Sequence, residues 1–300
     1  MTRVQSIAKR AVQVFTGRDE ERPLDRAQKL LFVRGHPRSG TNWTSALLNL
    51  HPRIFCTGEF QFEQMVAPAR RLQNTATHIS AKEPVRSAVD KGLHDLIRGC
   101  IVAGCAASRP DAAWFGDRSP THLIDLIPDA KYVWIVRDGR DVLVSWTFHQ
   151  LRKGPEVIHR AFRPRVSGWL LENTARFHES PRMFEENPDL LLSDETWVRH
   201  AAGEWASRYA SDRAVSEKLN GSNPESRVLE LRYEKLHEDP DGERARMYRF
   251  LGLNPAQAEP LSEQSRTVPG FTKNDPTCFL RKGEVGDWTN YFTDQARKWF

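Results

Sequence analysis

The sequence predicts an α/β fold, with a parallel sheet in three layers and helices on both faces. Three apolar segments support this prediction, because each has the length and composition of a buried strand and each leads into a helical pattern. The strands are expected at residues 29–33, 131–136 and 227–231. In sheets of this kind ligands bind beyond the carboxyl ends of the strands, so the functional residues are expected there.

A helix is predicted after each of these strands. The first runs from 41 to 50 and stops before His51-Pro52, because the residue before a proline disfavours helical geometry. The second covers 138–150. The third begins at Asp239-Pro240 and ends at 251–252.

Two parts of the chain depart from this alternation. Apolar residues at helical spacing predict a short helix over 3–15, which either packs on the body, the interpretation we favour, or contacts a membrane surface weakly. Together with a charged linker this makes residues 1–28 an N-terminal extension, and 29–300 one domain. Within it, 152–225 is a mostly helical insertion expected on the substrate side. Its aromatic stripe on the helix over 194–219 is typical of core, although part of it could line a pocket.

Composition excludes several functional classes. Of 300 residues 39% are hydrophobic and 28% charged, which is typical of a globular protein. The net charge of +5 favours an anionic ligand, but both signs alternate along the chain, which argues against a nucleic-acid partner. Four scattered cysteines fit neither a zinc site nor a disulfide framework. With no long apolar run and no signal-peptide pattern, a cytoplasmic location is expected.

The turn at 35–43 (GHPRSGTNW) has the features of an anion cradle. It joins a strand to a helix, so backbone N–H groups and the helix dipole point at one spot. Arg38 adds a positive charge. Side-chain donors come from Ser39, Thr41 and Asn42.

The same turn argues against an ATP- or GTP-dependent phosphotransferase. Gly35 and Gly40 have the spacing of a Walker A loop, but Thr41-Asn42 stands where that loop needs Lys followed by Ser or Thr. A nucleotide or nucleoside kinase therefore becomes the second-ranked hypothesis.

A second anion site is predicted around Arg137. Ser145 lies seven residues beyond the predicted N-cap Asp138, about two helical turns, so it shares a face with the start of that helix. Residues 281–283 (RKG) add two cations on a flexible backbone. A phosphate group would satisfy all of these donors.

Four segments, in this order, resemble the donor-binding segments of sulfotransferases that use 3′-phosphoadenosine-5′-phosphosulfate (PAPS). Residues 37–43 (PRSGTNW) resemble the 5′-phosphosulfate loop, and 136–145 (VRDGRDVLVS) the 3′-phosphate segment. Residues 231–236 (LRYEKL) resemble the R-Y-E-x-L segment near the adenine. Residues 281–290 (RKGEVGDWTN) resemble the C-terminal loop over the 3′-phosphate.

This resemblance implies a fold of P-loop type and PAPS as co-substrate, with adenosine 3′,5′-bisphosphate (PAP) as product and no metal requirement. It also implies the donor-binding residues: Arg38, Ser39, Gly40, Thr41, Asn42, Trp43, Arg137, Ser145, Tyr233, Arg281, Lys282 and Gly283.

The resemblance assigns catalytic roles to two arginines. Arg38 stands where most cytosolic members carry Lys, and Arg118 where the family has a second Lys facing the sulfuryl oxygens. Arginine does not readily lose a proton, so both are expected to act electrostatically. For Arg118 an ion pair with Asp117 is the structural alternative.

The general base is the point where this sequence departs from the cytosolic pattern. Pro120 occupies the position of the catalytic His of that branch. Glu59 follows the cradle helix, 21 residues beyond Arg38, as in the branch that includes tyrosylprotein, carbohydrate and bacterial enzymes. We therefore expect Glu59 to be the base. Glu63 and His122 remain alternatives.

The sequence thus predicts sulfuryl transfer to a hydroxyl on a small molecule, sugar, lipid or peptide. It does not choose among these acceptors and leaves the oligomeric state open. A non-catalytic anion-binding protein of the same fold remains a third hypothesis.

Overall fold

The computed structural model describes residues 28–119, 122–223, 225–262, 275–279 and 281–300. Its centre is a five-stranded parallel sheet in the order β2-β3-β1-β4-β5. The strands are β1 (Lys29–Arg34), β2 (Ile54–Cys56), β3 (Trp114–Arg118), β4 (Lys131–Val136) and β5 (Val228–Arg232). This confirms the predicted α/β class. The helix predicted over 3–15 lies outside the described residues.

Twelve α-helices accompany the sheet in the described part of the chain. They are α1 (Thr41–Asn49), α2 (Glu63–Thr75), α3 (Thr77–Ser80), α4 (Glu83–Ala106), α5 (Gly139–Leu151), α6 (Pro155–Ala161), α7 (Pro164–Glu179), α8 (Met183–Glu186), α9 (Glu195–Asn220), α10 (Tyr233–Glu238), α11 (Pro240–Phe250) and α12 (Asp294–Trp299). The predicted strands lie within one residue of β1, β4 and β5. The predicted helices correspond to α1, α5, α9 and α11, whereas β2, β3 and α2–α4 were not predicted.

Alternation along the strands builds the three layers. Leu30 and Phe32 of β1 face one side, where they join a cluster with Ile97 and Ile101 of α4. The intervening apolar residues of β1 face the other side, in a cluster with residues of α1 and α11 such as Leu47. Because both faces of the sheet are covered, the strands are apolar almost throughout.

A third apolar cluster joins the helical segment after β4 to the C-terminus. Phe148 of α5, Phe177 of α7, Trp197 of α9 and Tyr291 pack together in it. Trp197 is fully buried and Tyr209 packs against Trp134 of β4, so these members of the aromatic stripe on α9 are core. The extent of 29–300 as one domain stays a prediction.

Candidate active site

A cavity of about 240 Å³ opens at the carboxyl ends of the central strands. The chain leaves β1 towards β2 on one side and leaves β4 towards β5 on the other, so their ends flank a crevice. The cavity collects most of the predicted site residues: Arg38, Gly40, Thr41, Asn42, Trp43, Glu59, Arg118, Arg137, Ser145, Tyr233, Arg281, Lys282 and Gly283. Ser39 is the exception, since its side chain is buried and is not part of the lining.

The turn after β1 depends on a glycine at position 40. Gly40 has φ of 102°, in the left-handed region, and a Cβ there would lie 2.6 Å from Cδ2 of Tyr233. Arg38 also has a positive φ, 77°, which is uncommon for a residue with a side chain and is tolerated chiefly at functional sites. The backbone of this turn is therefore held in a specific, strained shape at the start of α1.

Arg38 reaches across the cavity to two other segments. Its Nε donates to Ser145 Oγ at 3.1 Å, and its Nη2 donates to the Phe279 carbonyl at 2.6 Å. The guanidinium also lies 4.2 Å from the centroid of the Phe279 ring. Burial, together with neighbouring Arg152 and other cations, lowers the pKa of Arg38 to about 10, so it remains protonated at neutral pH.

Arg137 lies at the end of β4 and is almost fully buried. Its Nη1 donates to the Arg38 carbonyl at 3.3 Å and its Nη2 to the Glu284 carbonyl at 2.6 Å. Its guanidinium lies 4.3 Å from the centroid of the Tyr233 ring. The first and last donor-binding segments predicted from the sequence thus meet at this residue.

The C-terminal segment is attached to α5 and to its own cations. Asp141, in the first turn of α5, accepts the backbone N–H groups of Gly286 at 2.8 Å and Trp288 at 2.9 Å. Asp287 pairs with Arg281 and with Lys282, whose Nζ lies 3.0 Å from its Oδ1. These contacts keep both cations at the cavity wall.

Tyr233 links the start of α10 to the same segment, because its hydroxyl donates to the Gly283 carbonyl at 2.6 Å. Its ring packs edge-on against Trp43, with 5.8 Å between centroids. Two aromatic side chains thus form part of the wall next to the cations.

Several guanidinium donors near the cavity are buried and have no hydrogen-bond partner among the described residues. They are Nε of Arg118, Arg137 and Arg281, and Nη2 of Arg152. Buried polar groups are normally paired, so an unpaired set on cationic side chains indicates a place for anionic oxygens. Five cationic side chains and only three acidic ones line the cavity. The site is suited to a polyanion.

Glu59 lies on the segment that follows β2 and is solvent-exposed at the cavity. Of the alternative bases, Glu63 begins α2 and is not part of the lining. His122 is also absent from the lining, and its Nε2 lies 2.8 Å from Oδ1 of buried Asp212. Pro120 falls outside the described residues.

Arg118 faces the cavity from the end of β3. Its Nη1 donates to Ser45 Oγ of α1 at 3.2 Å, and among the described residues it forms no ion pair with Asp117. Asp117 instead accepts the Phe60 N–H at 3.1 Å. The structural alternative for Arg118 is therefore wrong.

Sequence reasoning missed several lining residues, including Ser119, His149 and Phe279. His149 packs edge-on against Phe279, and burial with neighbouring Lys153 and Arg38 lowers its pKa to about 3, so it is neutral. It lies four residues after Ser145 on α5, on the same helix face. That spacing was the available signal.

Two findings concern the described residues only. No group of three or more His, Cys, Asp or Glu side chains there could hold a metal ion. No helix there combines the length and apolarity needed to cross a membrane.

Comparisons with known proteins are consistent in what they match. The model of the "Sulfotransferase domain" matches residues 119–300, more than half of the chain, and that of the "Sulfotransferase family" matches residues 31–180. Sulfotransferase 1 family member D1 of Rattus norvegicus is 23% identical over 91% of this chain and 80% of its own length. Protein-tyrosine sulfotransferase 1 of Mus musculus is 28% identical, over 37% of this chain and 32% of its own.

Among solved structures, mouse sulfotransferase SULT7A1 complexed with PAP aligns over 91% of this chain and 81% of its own, with 18% identity and a TM-score of 0.41. A sulfotransferase from Alicyclobacillus acidocaldarius aligns over 80% and 88%, also with 18% identity and a TM-score of 0.41. These likenesses are distant, and the family assignment depends on the two domain models. Since these match 119–300 and 31–180, the chain belongs to the sulfotransferase family.

Proposed function

We propose that this protein transfers the sulfuryl group of PAPS to a hydroxyl of an acceptor, with release of PAP. The observation that carries the proposal is the set of buried, unpartnered guanidinium donors beside a strained turn at a helix N-terminus. PAPS carries anionic groups at its 3′ and 5′ positions, and this cavity offers donors from two separate segments.

The residues present fit those two ends. Arg137, Ser145, Arg281 and Lys282 would hold the 3′-phosphate. The backbone N–H groups of the turn before α1, with Arg38, would hold the 5′-phosphosulfate. Tyr233 and Trp43, whose rings meet in the wall, suit the adenine side. Arg38 and Ser145 are in contact, so the two anion subsites adjoin.

The reaction needs little covalent help from the protein. The acceptor oxygen forms a bond to sulfur, the bond between sulfur and the bridging phosphate oxygen breaks, and the acceptor proton must leave. Arg38 would stabilise the charge that develops on the bridging oxygen, and Arg118 would neutralise the equatorial sulfuryl oxygens. Arginine stays charged in this role, so neither residue needs to move a proton. The same cations would perform the neutralisation for which kinases use Mg²⁺, so no metal is required.

Glu59 would accept the acceptor proton. It lines the cavity, whereas Glu63 and His122 do not, and a carboxylate within reach of a bound hydroxyl is a competent general base. This assigns the protein to the Glu-base branch. The acceptor would be a small molecule, sugar, lipid or peptide that brings its hydroxyl between Glu59 and Arg118.

The experiment is a transfer assay with ³⁵S-labelled PAPS and a panel of phenols, alcohols, sugars and tyrosine peptides, without added divalent metal. We expect a labelled ester and an equal amount of PAP, and loss of both with Arg38→Ala. Labelled phosphate transfer from γ-³²P-ATP with Mg²⁺, and none from PAPS, would contradict the proposal.

A further inference from the structure

Asp117 is a buried carboxyl beside the cavity that the mechanism above does not use. It lies one residue before Arg118 on β3, opposite Phe32 of β1, and none of its surface is exposed. Its Oδ1 accepts the Phe60 N–H at 3.1 Å. Its Oδ2 is buried without a hydrogen-bond partner among the described residues. A group of this kind is retained in a fold only against a desolvation penalty.

The segment that carries Glu59 is tied to the end of β3 on both sides of that residue. Before it, Thr57 N–H donates to the Gly116 carbonyl at 3.0 Å, and Arg118 N–H donates to the Gly58 carbonyl at 3.2 Å. After it, the attachment is the Asp117 carboxyl on the Phe60 N–H. The first two bonds are backbone only, so Asp117 is the side chain on which the second attachment depends.

The surroundings of Asp117 disfavour a charged carboxylate. Two buried thiols face it, Cys56 of β2 and Cys105 of α4, and burial raises the pKa of both, that of Cys105 to about 11. The charged groups nearby are Glu59 and Arg118, and Arg118 directs Nη1 to Ser45. Burial, opposed by the Phe60 N–H and reinforced by Glu59, raises the pKa of Asp117 to about 7.

We propose that Asp117 is a positioning residue for Glu59: its neutral carboxyl fixes the backbone that presents Glu59 to the cavity, without placing a second negative charge beside it. This inference rests on the proposed function. A neutral clamp suits the task because an ionised one would repel both Glu59 and the anionic sulfuryl group.

Two variants separate the clamp from its charge. Asp117→Asn keeps an acceptor oxygen for the Phe60 N–H and is neutral at every pH. Asp117→Ala removes the acceptor. We expect Asp117→Ala to lower turnover of PAPS to PAP, measured with 2-naphthol and with water as acceptors, by about 10- to 100-fold, the usual effect of a misplaced catalytic group. Asp117→Asn should stay within about threefold of wild type at pH 6 and exceed it increasingly towards pH 9, where the wild-type carboxyl ionises.

A readout independent of turnover is hydrogen exchange at the Phe60 amide. It should be faster in Asp117→Ala and restored in Asp117→Asn. Asp90→Ala is the matched control, because Asp90 accepts from Arg70 and Gln73 and so is a carboxyl clamp between α4 and α2 elsewhere. It should change neither the turnover nor the exchange rate at Phe60.

A double-mutant cycle with Glu59→Gln decides whether Asp117 acts through Glu59. If it does, Asp117→Ala has little further effect on turnover once Glu59 is Gln, and PAP affinity is unchanged throughout. Additive losses, a parallel loss of PAP affinity, or wild-type turnover in Asp117→Ala would overturn the inference. Wild-type turnover in Glu59→Gln would instead refute the base assignment, while exchange at Phe60 would still report whether the clamp exists.

Discussion

The Nε of Arg38 donates to Ser145 Oγ at 3.1 Å, which joins the turn after β1 to the helix after β4. These residues are 107 positions apart in the sequence. Their contact makes one continuous site of two anion-binding segments that the sequence presents separately. Arg38 therefore sits between the proposed 3′-phosphate and 5′-phosphosulfate subsites, which explains why a single cation at this position should matter so much.

Replacing Arg38 should abolish most of the transfer while the protein stays folded. We expect Arg38→Ala to lower turnover by about 10² to 10³, the usual effect of losing a preorganised charge partner, and Arg38→Lys to keep a measurable part of it. Steady-state rates with saturating PAPS, alongside melting temperatures, would check this. Normal turnover in Arg38→Ala would mean that the turn does not hold the reacting group.

Glu59→Gln should preserve PAP binding and lower the catalytic constant by about 10² to 10⁴, because Gln keeps the size of the side chain and cannot accept the proton. The controls are Glu63→Gln and His122→Asn, since neither residue lines the cavity. Rate-versus-pH profiles at saturating donor would compare all four proteins. If a control variant loses both the rate and the acidic limb while Glu59→Gln keeps them, that other residue is the base.

Gly40→Ala should destabilise the fold through the backbone and through Tyr233. A left-handed φ costs a residue with a side chain about 1–2 kcal/mol, and the new Cβ would also collide with the Tyr233 ring. Gly99→Ala on α4 is the matched control, because nothing lies within 4 Å of its Cβ position. That helical site should be neutral or gain up to about 1 kcal/mol. Urea unfolding measures both, and equal stabilities would contradict the account of the turn.

Asp117 should make stability fall as pH rises from about 4 to about 7. Its pKa is raised from 3.8 to about 7 by burial, so over this range the folded state binds a proton that the unfolded state has lost. Asp117→Asn has no such proton, so its free energy of unfolding should exceed that of wild type increasingly across this window, by a few kcal/mol at most. A constant difference from pH 4 to 8 would show that Asp117 is charged in the folded protein.

The sequence was sufficient for the parts of the fold that are apolar throughout. Strands β1, β4 and β5 could be predicted because buried parallel strands are nearly continuous runs of apolar residues. Strand β3 (WFGDR) hides this pattern, since Gly116 is there for lack of space: a Cβ would lie 3.0 Å from the Leu31 carbonyl. Strand β2 has only three residues, too few for periodicity.

The site was predictable where it consists of local motifs and not where it depends on folding. The turn at 35–43 and the segment at 281–283 are visible as donors close together in sequence. Phe279 could not be placed on Arg38, because only the tertiary structure brings its carbonyl within 2.6 Å of Nη2. Asp117 likewise reads as an ordinary strand-end carboxylate until its burial and its contact with Phe60 are known.

The most direct test of the central claim is the affinity for PAP compared with ADP, measured by isothermal titration without and with Mg²⁺. The cations Arg137, Arg281 and Lys282 would serve the 3′-phosphate, which ADP lacks. We predict that PAP binds at least tenfold more tightly than ADP, that Mg²⁺ does not change this order, and that Ser145→Ala reduces the preference; tenfold corresponds to about 1.4 kcal/mol. Equal affinities, or tight ADP binding that requires Mg²⁺, would contradict the assignment of the cavity to PAPS.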